Sequence, residues 1–213
     1  MPMNKKAELM EFELPLVGTT KSSEIPTPEE YTYWEARKNR TFYIDYEIED
    51  DYSLIELSKV IIQMNIAEKD IPKSDLQPVY IWIHSYGGDI EQALYVCDLF
   101  KSSRIPIITI GMGACMSAGF LLFLSGSKRY AFPHTQMLAH SGSAGFQGTA
   151  EQIEQAQRNY KKQIGQMKDY ILKNTSIPET VFNRNKNKDW YFTTEEIEKY
   201  DIAKIITSLD EII

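Results

Sequence analysis

A single α/β domain built on a mainly parallel sheet is predicted by three observations in the 213-residue sequence. Two unbroken β-prone runs, Val79-Tyr-Ile-Trp-Ile83 and Pro106-Ile-Ile-Thr-Ile110, are each followed by an apolar helical stretch, and strands alternating with helices imply parallel crossovers. Neither run alternates with polar residues, which is the pattern of a strand covered on both faces. The length and a hydrophobic content of 43% suit one good core better than two.

The elements follow in order. Residues 1–39 mix charges with Gly18, Pro26 and Pro28 and lack periodicity, so they are expected to form an extended N-terminal arm or loop ahead of a folded body at 40–213. Thr41–Asp45 reads as a strand. Over Asp50–Ala67, residues Leu54, Leu57, Val60, Ile61 and Met64 recur at helical spacing. After the strand at Val79–Ile83 comes a Gly87-Gly88 pair, then a helix over Ile90–Lys101 with Ala93, Leu94, Val96, Cys97 and Phe100 on one face. The strand Pro106–Ile110 is followed by a helix at Ser117–Leu124, short strands at Lys128–Phe132 and Gln136–Ala139, and a long polar helix at Thr149–Lys173. That last helix carries only a thin stripe, Ile153, Ala156, Tyr160, Ile164, Met167 and Ile171, and is expected to project from the body to meet another subunit.

Composition narrows the function. A formal charge of −7, with the basic residues dispersed, speaks against a nucleic-acid surface. Cys97 and Cys115 form no CxxC or CxxH pair and read as buried thiols, so no metal site is expected. The N-terminus lacks the apolar stretch of a secretory signal, and no segment approaches the roughly 20 apolar residues of a membrane span. A cytoplasmic protein with no membrane partner is the expectation.

The chemistry centres on Ser117, in the run Gly-Met-Gly-Ala-Cys-Met-Ser-Ala-Gly-Phe-Leu-Leu at 111–122, where a strand gives way to an apolar helix. Taken alone, such a serine is also an ordinary helix N-cap residue. A serine nucleophile needs a base, a group to orient that base, and donors for the oxyanion. Among His84, His134 and His140, the last is best placed, because it follows a strand end where catalytic side chains gather in parallel-sheet proteins. His84 is expected to be structural and His134 a turn residue. Asp189 would orient the base, and the N–H groups of Gly88 and Ala118 would stabilise the oxyanion. The order Ser, His, Asp and the absence of a first elbow glycine in Cys115-Met-Ser-Ala-Gly disfavour an α/β-hydrolase.

Five segments in order, Ile83-His-Ser-Tyr-Gly-Gly-Asp, Thr109-Ile-Gly-Met-Gly-Ala-Cys-Met-Ser, Tyr130-Ala-Phe-Pro, Met137-Leu-Ala-His and Gly145-Phe-Gln-Gly-Thr-Ala-Glu-Gln-Ile-Glu, resemble the proteolytic subunit family of the Clp proteases, ClpP. The resemblance runs from about Arg40 to the C-terminus. It implies a ClpP/crotonase-like α/β fold of repeated ββα units with a projecting long handle helix. Counted without gaps from Gly88, the family's nucleophile falls on Ser117; counted back from His140 it would fall on Cys115. The first count matches Thr109, Ile110, Met112, Gly113 and Gly126 and confines a two-residue shortening to a hairpin turn at Gly126–Arg129.

The resemblance implies a serine endopeptidase with Ser117, His140 and Asp189 as its triad. It acts on unfolded polypeptide or peptide substrates held as an added strand by Gly87, Asp89, Ile90, Ser141 and Gly142. It also implies homo-heptameric rings, stacked as a tetradecamer, an AAA+ Clp ATPase feeding the chamber, and an axial entrance formed by residues 1–39; peptide hydrolysis itself needs no cofactor. This chain departs from the family pattern at Tyr86, at Ser141-Gly142, and at Asn187-Lys188 in place of an Asp-Arg pair that links rings, a contact these residues cannot rebuild. Two other readings stay open from sequence: a catalytically silent ring subunit, and a crotonase-type acyl-CoA enzyme.

Overall fold

The computed structural model describes residues 28–49 and 52–212; the expected arm over 1–27, with its entrance role, lies outside the described residues. Residues 28–38 are not an irregular loop: Pro28–Lys38 forms a helix, α1. Its signals are not periodic. Proline at the first helical position and Arg37-Lys38 in the last turn suit a helix's ends, and the Arg37 guanidinium lies 4.3 Å over the Tyr33 ring one turn earlier.

The chain then alternates as expected: β1 Thr41–Ile44, α2 Tyr52–Ala67, β2 Val79–Ser85, α3 Ile90–Ser102, β3 Ile107–Met116, α4 Ala118–Leu124, β4 Lys128–Ala131 and β5 Gln136–Ala139. The long helix α5 spans Ala150–Asn174, opened by a capping box between Thr149 and Gln152. After it come α6 Glu179–Asn185, β6 Trp190–Phe192, α7 Thr194–Lys199 and β7 Lys204–Ile205. Among the described residues the sheet has seven strands, with the path β1-β2-β3-β4-β7 and a branch in which β5 pairs with β3 and β6. All pairings are parallel except β5 with β6.

The branch originates in β3, which is twice the length its apolar run suggested. Ile108–Gly111 pair with β4, whereas Ala114–Met116 pair with β5. Between them the ladder with β2 slips, because Met112, Gly113 and Ala114 oppose the single residue His84. The His84 ring fills that bulge: Nδ1 lies 2.8 Å from the Met112 carbonyl oxygen and 3.1 Å from the Ala114 nitrogen. Gly113 has φ +79°, and a Cβ there would stand 2.4 Å from the same ring nitrogen, so only glycine fits. His84 is thus the structural histidine expected, and His134 lies in a turn.

The core lies between the sheet and α2, α3 and α4. All seven residues of α4 are buried, with Phe120 and Phe123 at 0% exposure. The connection from α4 to β4 is no hairpin but a helix-to-strand turn, since α4 ends at Leu124 and β4 already begins at Lys128. In α5 only Met167 and Ile171, near its C-terminal end, are buried.

Cys97 and Cys115 are both fully buried, and burial pushes the Cys97 thiol up to about 12 and the Cys115 thiol further still. Native protein at pH 8 should therefore resist iodoacetamide at both sites, and urea should expose both, as read by intact mass; rapid native labelling at either site would contradict this core.

Candidate active site

Strand register brings the three candidate residues together. Ser117 directly follows the last residue of β3, and Met116 pairs with Leu138 of β5. His140 directly follows the last residue of β5, and Ala139 pairs with Trp190 of β6. Because β6 runs antiparallel to β5, its first residue lies beside the end of β5, and Asp189 immediately precedes it. Three adjacent strand ends thus present serine, histidine and aspartate side by side. A register slip of one residue in either ladder would separate them.

His140 Nε2 lies 2.8 Å from Ser117 Oγ, and His140 Nδ1 lies 3.2 Å from Asp189 Oδ1. This network sets the tautomer for a base: Nδ1–H donates to the carboxylate, and Nε2 accepts from the serine hydroxyl. The His140 side chain is 30% exposed and that of Asp189 62%. The aspartate therefore works partly in water, where its charge is screened.

Ser117 occupies the N-cap position of α4, but its side chain does not cap the helix. Its φ of +54° and ψ of −121° are rare for a residue with a side chain, and its hydroxyl makes no capping bond to α4. Such a conformation costs about 1–3 kcal/mol and persists where surroundings over-determine it. Here the Ser117 N–H donates to the Leu138 carbonyl at 3.0 Å, and buried α4 fixes the other side. The strained turn aims the hydroxyl away from the helix and toward His140.

The glycine pair sits against this turn. Gly87 is buried, and a Cβ on it would stand 2.7 Å from Ser117 Cβ and 3.1 Å from the Ala118 nitrogen. Gly87 therefore packs under Ser117 instead of lining the open cleft, where it was expected to hold substrate. The Ile48 N–H donates to the Gly87 carbonyl at 2.7 Å, and the Asp89 N–H to the Ile48 carbonyl at 2.6 Å, anchoring the strap on both sides of Gly88. Gly88 is exposed, and among the described residues no group accepts from its N–H or from that of Ala118, the first residue of α4. The Asp89 carboxylate caps α3, accepting from the Gln92 N–H at 2.9 Å.

A cleft of about 460 Å³ opens over the triad. Gly88, Asp89, Ser117, His140, Ser141 and Gly142 form its polar side, and Ile90, Ala118, Leu121, Ile164 and Met167 its apolar side. Tyr86, Ser143 and Tyr160 complete the lining. Tyr160, Ile164 and Met167, from the α5 stripe, line this cleft. Helical spacing identified the stripe, but its direction depends on where α5 docks. A larger recess of about 680 Å³, lined by residues including Tyr33, Arg37, Phe42 and Leu57, holds none of the triad. Among the described residues no group of His, Cys, Asp or Glu is placed to hold a metal ion, and no helix is long and apolar enough to cross a membrane.

A serine–histidine–aspartate series at the strand ends of a mostly parallel α/β sheet is the arrangement of hydrolases that act through a serine. The Clp protease family model matches residues 29–209, and the chain belongs to that family. The match begins at α1, upstream of the Arg40 boundary read from motifs. The ATP-dependent Clp protease proteolytic subunit of Deinococcus radiodurans is 26% identical over 172 residues, covering 80% of this chain and 81% of the relative. The ATP-dependent Clp protease proteolytic subunit 1 of Corynebacterium jeikeium is 26% identical over 193 residues, covering 89% and 99%.

Proposed function

We propose that the chain is a ClpP-type serine endopeptidase that hydrolyses unfolded polypeptides inside an oligomeric chamber. The observation that carries this reading is the hydrogen-bonded series Ser117, His140, Asp189 opening onto one cleft. An extended peptide would lie between the strap after Gly88 and the segment after His140, pairing through its main chain. Ser117 Oγ attacks the scissile carbonyl carbon while His140 Nε2 takes its proton. The oxyanion forms against the N–H groups of Gly88 and Ala118. His140 then protonates the leaving amine, and water repeats the sequence to release the acid and restore the serine. Asp189 holds the imidazole and stabilises its charged form.

The family and the names of its relatives, which print ATP-dependent Clp protease subunits, support an AAA+ Clp ATPase as the feeding partner, and a cytoplasmic location belongs to the same proposal. A heptameric ring is the proposed assembly, stacked in pairs. Asn187 and Lys188 occupy exposed positions beside Asp189, so stacking must use contacts other than a bidentate arginine pair.

The test compares a fluorogenic peptide with an apolar residue before the scissile bond, casein with and without an AAA+ partner and ATP, and an acyl-CoA thioester. Peptide turnover by fractions with the mass of seven or fourteen chains, and casein turnover only with partner and ATP, are expected. Turnover of the thioester with peptides intact would overturn the protease reading.

A further inference from the structure

Beyond Ala139 the β5 ladder ends, so no strand pairing fixes the backbone that carries His140 on its far side. Asp189 is equally short of support, being an exposed residue just ahead of a three-residue strand. Two hydrogen bonds at Ser141 take over. The Ser141 hydroxyl donates to the carbonyl of Lys186, on the loop leading to Asp189. The Ser141 carbonyl accepts from the Tyr160 hydroxyl of α5 at 2.8 Å.

The surroundings make this junction tight. Gly142 has φ +72°, and a Cβ there would stand 3.1 Å from the Tyr160 oxygen. The Tyr160 ring meets Phe146 edge-on at 5.9 Å, which closes the segment after His140 back onto α5. One residue therefore ties the base, the loop of its orienting carboxylate and the long helix into one unit.

From this we infer that Ser141 and Tyr160 are positioning residues: together they clamp the imidazole of His140 between Ser117 and Asp189. The inference rests on the triad reading. Neither side chain touches the reacting atoms, and both act through the backbone next to His140. Loss of either bond leaves a hydrogen-bonding group unpartnered and lets the segment bearing the imidazole drift, so the share of molecules with an aligned triad falls.

The test uses Tyr160→Phe and Ser141→Ala in the full chain, with two readouts. The first is the rate of inactivation by diisopropyl fluorophosphate, a small reagent that needs an activated serine and no extended peptide. The second is the separation of kcat from KM with a fluorogenic peptide. Each variant should be inactivated about fivefold to tenfold more slowly, with kcat reduced by a similar factor, KM changed less than twofold, and the native assembly mass retained. If both variants are inactivated at the wild-type rate and only KM rises, the two residues are cleft walls and the clamp is wrong. If inactivation slows only in proportion to a loss of folded protein, seen by circular dichroism, the role is structural and the clamp is again wrong. Wild-type protein left untouched by the reagent would overturn the triad reading first, and the clamp with it.

Discussion

Ser117→Ala should reduce peptide hydrolysis by about 10⁴-fold or more, to a background set by substrate binding and the oxyanion donors. The fold should barely notice. The Ser117 hydroxyl caps nothing on α4, so alanine removes only its bond to His140 Nε2 and leaves the backbone at φ +54° with the same N–H to Leu138 contact. A melting temperature within a few degrees of wild type, together with loss of a fluorophosphonate adduct on the peptide containing residue 117, is the expected pair of results. Cys115 cannot stand in as a nucleophile. It is fully buried, its sulfur lies 3.5 Å from the Ile83 carbonyl oxygen, and burial drives its thiol toward the neutral form. Activity within tenfold of wild type in Ser117→Ala would therefore place the chemistry on another group altogether.

Gly88→Ala should damage both stability and turnover. The glycine has φ +137°, and a Cβ would stand 2.0 Å from the Ile48 carbonyl oxygen and 2.8 Å from its carbon. Both neighbours are backbone, so no side chain can swing aside. The strap must move, breaking the paired bonds between Ile48 and residues 87 and 89 and carrying the Gly88 N–H off its aim. A loss of about 2 kcal/mol or more in urea unfolding is expected, with kcat falling about 10²–10³-fold as one oxyanion donor is misplaced. Gly145→Ala serves as the control, because nothing lies within 4 Å of a Cβ there and its backbone is unstrained. Wild-type kcat in Gly88→Ala would remove the strap from the oxyanion site.

The strands and helices that the sequence marked by strong local pattern are those found. β2 and the start of β3 are unbroken apolar runs, and α3 has a clear buried face. Elements with weaker local signals escaped. α1 buries little and shows no stripe, so only its terminal proline and basic last turn marked it. β6 and β7 are three and two residues long, too short for any alternation to register. α7 carries a local signature of its own, a capping box between Thr193 and Glu196.

The candidate site divides along the same line. The residue types of the series Ser117, His140 and Asp189 were legible: spaced motifs carry Ser117 and His140, whereas Asp189, beyond the last motif, came from the family resemblance. So was the Gly87-Gly88 pair. The strain at Ser117, the packing of Gly87 beneath it, the place of Tyr160, Ile164 and Met167 in the cleft lining, and the tie through Ser141 were not. Each depends on residues distant in sequence meeting across strands or across a helix face, and such meetings leave no local period.

The sequence alone determined an α/β domain, buried thiols, and a serine, histidine and aspartate in family order, since burial, propensity and residue chemistry act locally along the chain. Only the tertiary structure decided that these three form one series. The bulge at Met112–Ala114, filled by His84, turns β3 from β4 to β5, and the antiparallel β6 then brings residue 189 beside residue 140. Hydrogen-bond register sets that geometry, and register is a property of paired strands that neither strand encodes by itself.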